Sequence, residues 1–215
     1  MTPILHNYFR SSTSFRVRVA LALKGVEYEY RAYHLRKGEQ KGTEYRAINP
    51  QGLVPALTWT DGSVYTQSLA IIEFLDEAIP EPPLLPRHPA HRARVRSLAQ
   101  MIAMDIHPIN NLRVLDVLRT RFGADDDAVA EWFRLWVGET FGTLEHRLAQ
   151  EPETGAFCHG NDVTIADLCL VAQVANNARF DVDMTAYPTI RRIYETCMAL
   201  PAFQGAAPRH QPDAE

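Results

Sequence analysis

Residues 3–25, PILHNYFRSSTSFRVRVALALKG, decide the fold. Pro3 to Tyr8 is a short apolar stretch that reads as a strand. Ser11, Ser12, Thr13 and Ser14 follow, and their short side-chain oxygens suit the free amides that open a helix. Phe15, Val17, Val19, Ala20, Leu21 and Leu23 then predict a helix with a broad apolar surface. It ends near Lys24-Gly25, where glycine suits the C-terminal cap. Working outward, Glu27 to Tyr33 reads as a second strand. Residues 53–59 and 63–65 read as a hairpin with Asp61-Gly62 at its tip. Leu69, Ile71, Ile72, Leu75 and Ile79 have helical spacing after Ser68. The order over residues 1–80 is thus β-α-β, an irregular segment, then β-β-α.

Residues 80–89, PEPPLLPRHP, hold five prolines in ten positions, which blocks both helix and sheet interiors. The domain boundary is placed here, with 81–88 as a proline-rich linker. Beyond it no strand pattern appears. Val95, Leu98, Ile102, Ile106, Ile109, Leu112, Leu115, Leu118 and Phe122 predict one long amphipathic helix, kinked at Pro108. A second helix is expected over 126–150 and a last one over 188–200. Between them a helix opens at residues 163–168. Thr164 and Asp167 there have capping-box spacing, and Val163 and Leu168 are placed as a hydrophobic staple. Residues 89–215 are therefore expected to form an all-helical domain.

Composition excludes several classes. Apolar residues make up 46% and charged residues 22% of 215, ordinary globular values. The net charge of −4 lacks the basic excess of a nucleic-acid binder. No apolar run is long enough for a membrane span, and the N-terminus has no signal-peptide pattern. Cys158, Cys169 and Cys197 are odd in number and form no metal-binding spacing, so a reduced, cytoplasmic protein is expected. Cys169, on an apolar helix, reads as core.

The segment RSSTSFRVRVAL (10–21) resembles the SSCSxRVRIAL signature of zeta-class glutathione transferases. NPQGLVPAL (49–57), QSLAIIEFLDE (67–77), TIAD (164–167), QVANNARF (173–180) and QPD (211–213) extend the resemblance over essentially the whole chain. It implies a thioredoxin-like N-terminal domain followed by an all-helical C-terminal domain. It further implies glutathione as cofactor, a homodimer, and a maleyl keto acid as substrate. The implied reaction is cis–trans isomerisation of 4-maleylacetoacetate to 4-fumarylacetoacetate. Maleylpyruvate is the alternative substrate, and a general transferase or a non-catalytic glutathione binder is the other class. The chain departs from the signature at Thr13, where the family usually has Cys, so its chemistry must rest on a hydroxyl.

Through the resemblance, Ser11 is the first choice of donor to the glutathione thiolate, with Thr13 and Ser12 next. A helix N-terminus favours negative charge, and a hydroxyl hydrogen bond adds to that effect, so a thiol there ionises more readily. Arg10 adjoins this group and counts with it as catalytic. Val54-Pro55 is implied to be a cis-proline turn whose backbone edge pairs with the cysteinyl part of glutathione. Gln67 and Ser68 are implied to hold the γ-glutamyl carboxylate, and Gln40 and Gln51 the glycyl one. Asp105 and His107 are implied to reach glutathione across a dimer interface; no further ligand in register supports a metal there. Arg10, Arg113 and Arg179 are implied to clamp the dicarboxylate substrate, since arginine forks match carboxylates. Arg16 and Arg18 are expected to face outward or to pair structurally.

Overall fold

A computed structural model describes residues 1–215 and falls into two compact units. The first comprises residues 1–84 together with 199–215, and the second residues 85–198. The division lies inside the proline-rich segment. The expected assignment of all of 89–215 to one helical domain differs from this: the last seventeen residues, 199–215, group with the first unit.

In the first unit, β1 (Ile4–Asn7), β2 (Glu29–Ala32), β3 (Ala56–Thr58) and β4 (Val64–Thr66) form a sheet of order β2-β1-β3-β4. β1 pairs parallel with β2 and antiparallel with β3, with Ile4 opposite Glu29 and Thr58. As an inner strand, β1 is enclosed on both faces, so Leu5, His6 and Asn7 are all buried. The hairpin turns at Gly62, whose φ of +87° suits glycine alone. Around the sheet lie α1 (Ser12–Leu23), α2 (Thr43–Ile48) and α3 (Ser68–Ala78). The short α2 falls in the segment read as irregular; its six residues are too few to show a helical period.

Of the two alternatives expected for Arg16 and Arg18, the outward one fails, since each is 1% exposed, and structural pairing holds for Arg18. α1 packs against α3 and against a helix of the C-terminal segment, so its polar stripe is enclosed as well as its apolar one. Arg18 Nε donates to Ala206 O (2.9 Å), Nη1 to Asn7 Oδ1 (3.0 Å), and Nη2 to Phe9 O (3.0 Å). The tail adds a second tie. Asp213 accepts from the Phe9 amide at 3.1 Å and from the Tyr30 hydroxyl.

His6 faces α2, its ring nitrogens 3.1 Å from Tyr33 Oη and 3.0 Å from Thr58 Oγ1. Burial, then the Arg31 charge, lowers its pKa from 6.5 to about 4. The unfolded chain therefore takes up this proton first as pH falls. The contribution to stability is complete above the unfolded value and is lost as pH drops from about 6.5 to about 4. Urea midpoints measured from pH 7.5 down to 4 are expected to reveal a loss of up to about 3 kcal/mol. His6→Gln should flatten that slope; an unchanged slope would show that other groups carry it.

The second unit holds α4 (Pro89–Gln100), α5 (Leu112–Phe122), α6 (Asp126–Gln150), α7 (Ile165–Asn177) and α8 (Pro188–Met198). The single kinked helix expected over 95–122 is in fact two. After α4 the backbone widens into a π-helical stretch, Met101–Ile106, where His107 N bonds to Ile102 O at 3.0 Å. Pro108 cannot donate, and Asn111 starts α5 afresh by accepting from Arg113 N (3.1 Å) and Val114 N (3.4 Å). α6 spans the expected residues, capped by Asp125 through Ala128 N. At the start of α7 the buried Asp167 carboxylate accepts from the Thr164 amide and hydroxyl and the Cys158 amide, each at 2.8 Å. Cys169 lies in the core. Beyond this unit, α9 (Pro201–Ala206) is a further short helix that the periodicity did not reveal.

Candidate active site

Three segments of the first unit build the site. The first is the entry to α1. Ser11 is its N-cap, with extended backbone and Oγ accepting from Ser14 N at 3.1 Å. Ser11 Oγ also lies 2.8 Å from Thr13 Oγ1, and Thr13 donates to Val54 O at 3.1 Å. A hydroxyl has one proton. Thr13 spends its proton on Val54, so Ser11 is the donor between the two hydroxyls. The Ser11 proton rests on Thr13 Oγ1, a neutral acceptor, and is the one that an anionic ligand can draw away. Both side chains are half-buried, whereas Ser12 is buried. Arg10 lies over the Phe9 ring, 4.8 Å from its centroid.

The second segment is the loop before β3. The Val54-Pro55 peptide is cis, as the resemblance implied. Asn49 and Tyr45 brace the loop: Asn49 Nδ2 and Tyr45 Oη both donate to Leu53 O, at 2.7 and 2.6 Å. Neither residue was singled out for a role from the sequence, although Asn49-Pro50 with Gly52 two residues on is a turn signal. Gly52 has φ +63°, and a Cβ there would stand 2.9 Å from Gln40 O. That close approach brings the backbones of Gln40 and Gln51–Gly52 together.

The third segment is the entry to α3. Gln67 has φ +68°, a left-handed conformation that a non-glycine residue rarely adopts. Its Nε2 reaches Gln51 Oε1 at 3.3 Å. Ser68, 6% exposed, opens the helix, and its Oγ accepts from Arg16 Nη1 at 3.4 Å. Ser11, Thr13, Val54, Gln40, Gln51, Gln67 and Ser68 thus belong to linked segments of one unit. Free helix amides, hydroxyls, carboxamides and buried arginine together suit an anionic peptide, and the donors present fit glutathione.

The other residues predicted for the site lie in the second unit. Asp105 is exposed and His107 half-buried, both in or beside the π-helical stretch. Arg113 is exposed on the first turn of α5. Arg179 lies in a single helical turn after α7, not in the helix itself. It donates to Asn176 Oδ1 at 3.0 Å. No group of three or more His, Cys, Asp and Glu side chains is arranged to hold a metal ion.

Comparison with known proteins agrees with this architecture. Residues 10–78 match the family model for the glutathione S-transferase N-terminal domain, and residues 134–201 that for the C-terminal domain. The chain belongs to the glutathione S-transferase family. Within it, the chain is 48% identical to a probable maleylacetoacetate isomerase of Vibrio cholerae, over 100% of this chain and 99% of that protein. It is similar in structure to a bacterial maleyl pyruvate isomerase described as a zeta-class glutathione transferase: TM-score 0.96, 48% identity, 98% of this chain and 99% of that one. A maleylacetoacetate isomerase of Methylobacterium extorquens with bound malonate and glutathione matches with TM-score 0.95 and 44% identity, over 98% of this chain and 99% of that one.

Proposed function

We propose that this protein is a glutathione-dependent cis–trans isomerase of a maleyl keto acid, with 4-maleylacetoacetate converted to 4-fumarylacetoacetate as the first reading. The observation that carries it is the Ser11 hydroxyl at a helix N-terminus, whose proton rests on the neutral Thr13 hydroxyl and can be drawn to a thiolate. Bound glutathione supplies a thiolate that adds reversibly to the cis double bond, so that rotation becomes possible before the thiolate leaves.

The chain's own residues do the rest. Ser11 and the first-turn amides of α1 hold the sulfur as an anion. Val54 offers its backbone edge to the cysteinyl unit, as an added strand pairs with a sheet edge. Gln67 and Ser68 receive the γ-glutamyl carboxylate, and Gln40 and Gln51 the glycyl one. Arg10, Arg113 and Arg179 bind the substrate carboxylates, and their charge stabilises the negative charge that builds on the conjugated carbonyl oxygen. Asp105 and His107 are assigned to glutathione bound by a second copy in a homodimer. Exposed Met104, Val117 and Phe122 near this stretch support such pairing. Three free, buried cysteines support a reducing, cytoplasmic setting; a place in aromatic amino-acid degradation follows from 4-maleylacetoacetate as the proposed substrate.

The substrate question is tested by turnover of purified protein on maleylacetoacetate and maleylpyruvate, with and without glutathione. Turnover that survives exhaustive removal of glutathione would sink the reading. Arg10→Met and Arg179→Met are each expected to lower kcat/KM about tenfold to a hundredfold while glutathione affinity holds, with Arg113→Met weaker. Collapse of glutathione affinity with unchanged saturated turnover would move these arginines to the cofactor site.

A further inference from the structure

α1 and its C-cap residue carry three buried cations, and two of them are balanced. Lys24 is paired with the Asp76 carboxylate at 2.8 Å. Arg18 uses all three of its nitrogens on oxygen acceptors. Arg16, 1% exposed, is different. Its one partner is Ser68 Oγ, at 3.4 Å, and its Nε and Nη2 are buried with no acceptor at all. A guanidinium enclosed in this way, facing only a neutral oxygen, is costly to the folded chain. The positive end of α3 lies at the same place and adds to the cost.

An anion at the entry to α3 removes this imbalance. Ser68 Oγ already accepts from Arg16, so the hydroxyl proton is directed away from the guanidinium and is available to a ligand. The unpaired first-turn amides of α3 point the same way. A buried cation, a hydroxyl oriented by it and a helix N-terminus together make a carboxylate subsite.

We propose that Arg16 is a positioning residue for glutathione: it fixes the Ser68 hydroxyl as donor to the α-carboxylate of the γ-glutamyl unit, and its own charge is balanced only when that carboxylate is bound. The inference rests on the placement of the γ-glutamyl unit at Ser68. It adds a coupling between cofactor binding and the stability of the unit. The free chain carries an uncompensated buried charge, and the liganded chain does not.

The test uses full-length wild type, Arg16→Met, Arg16→Lys and Ser68→Ala. Each is titrated calorimetrically with glutathione and with 4-aminobutyryl-cysteinyl-glycine, which lacks only the α-carboxylate. Thermal unfolding is followed with and without glutathione. Wild type is expected to bind the analogue about tenfold to a hundredfold more weakly than glutathione. Arg16→Met should bind glutathione about tenfold or more weakly and separate the two ligands by less than about threefold. Ser68→Ala should lose the same discrimination, and Arg16→Lys, which keeps the charge but not the fork, should keep part of it. Without ligand, Arg16→Met should melt no lower than wild type, while its gain on adding glutathione shrinks.

Full discrimination retained in Arg16→Met would overturn the inference while leaving Ser68 as the subsite. So would a ligand-free Arg16→Met that melts well below wild type or fails to fold, because the arginine would then be a structural brace. No discrimination in wild type would instead remove the γ-glutamyl placement itself, and the inference with it.

Discussion

Ser11→Ala is expected to lower turnover at saturating glutathione about 10²–10³-fold, the usual cost of one preorganised donor to a developing or held anion. The reason lies in the proton arrangement. Thr13 gives its hydroxyl proton to Val54 O, so the Ser11 proton, held on the neutral Thr13 oxygen, is the one that the sulfur can draw off. Two controls separate chemistry from structure. Losing the N-cap interaction with Ser14 N costs about 1 kcal/mol of stability, which denaturation measures independently. The acid limb of the kcat/KM profile should also move to higher pH, since a thiolate without its donor is harder to form. Thr13→Ala should cost less: it frees the tie between α1 and Val54 but leaves the Ser11 hydroxyl. Cys169→Ala, buried in the core of the other unit, should spare turnover. A Thr13→Ala variant more crippled than Ser11→Ala would transfer the donor role to Thr13.

Arg18→Met is expected to destabilise the first unit by about 3–5 kcal/mol, a large share of the 5–15 kcal/mol that holds a typical protein folded. Methionine fills much of the volume but strands the acceptors Asn7 Oδ1, Phe9 O and Ala206 O in the interior. Burial pulls the Arg18 pKa down only to about 10, so the charge is present at neutral pH and its hydrogen bonds are charge-assisted. One carbonyl it holds, Phe9 O, belongs to the segment that leads into Arg10 and Ser11. Activity should therefore fall before global unfolding does. Urea unfolding followed by far-UV dichroism gives the stability change; a shift below about 1 kcal/mol would show that the site repacks around the apolar side chain. Arg18→Lys should recover only part of the loss, because one ammonium cannot reach acceptors spread around a planar fork.

Local chemistry made much of this protein legible in its sequence. The strand, serine cluster and helix of residues 4–23 depend on neighbours in the chain, and they form where the cap residues place them. α6 spans Asp126–Gln150 because its acidic start and apolar spacing need no distant partner to be recognised. Asp167 reaches the Thr164 amide because three residues of helix bring it there. Thr13 was visible as a hydroxyl in place of a thiol.

What the tertiary structure decided are the matters that depend on distant segments. Periodicity shows which residues of α1 are apolar, but whether Arg16 and Arg18 meet water depends on α3 and on Ala206, which lies 188 residues away from Arg18. The same limit applies to Asp213, whose bond to the Phe9 amide spans 204 residues. A kink at Pro108 was legible, but the π-helical register of Met101–Ile106 was not, because it is a backbone hydrogen bond shifted by one residue, which side-chain spacing does not report. The proton order Ser11 to Thr13 to Val54 joins positions 41 residues apart and exists only once the loop before β3 is folded against the entry to α1. A sequence carries the hydroxyls; which of them keeps a proton to give is settled by the acceptor that the fold brings beside it.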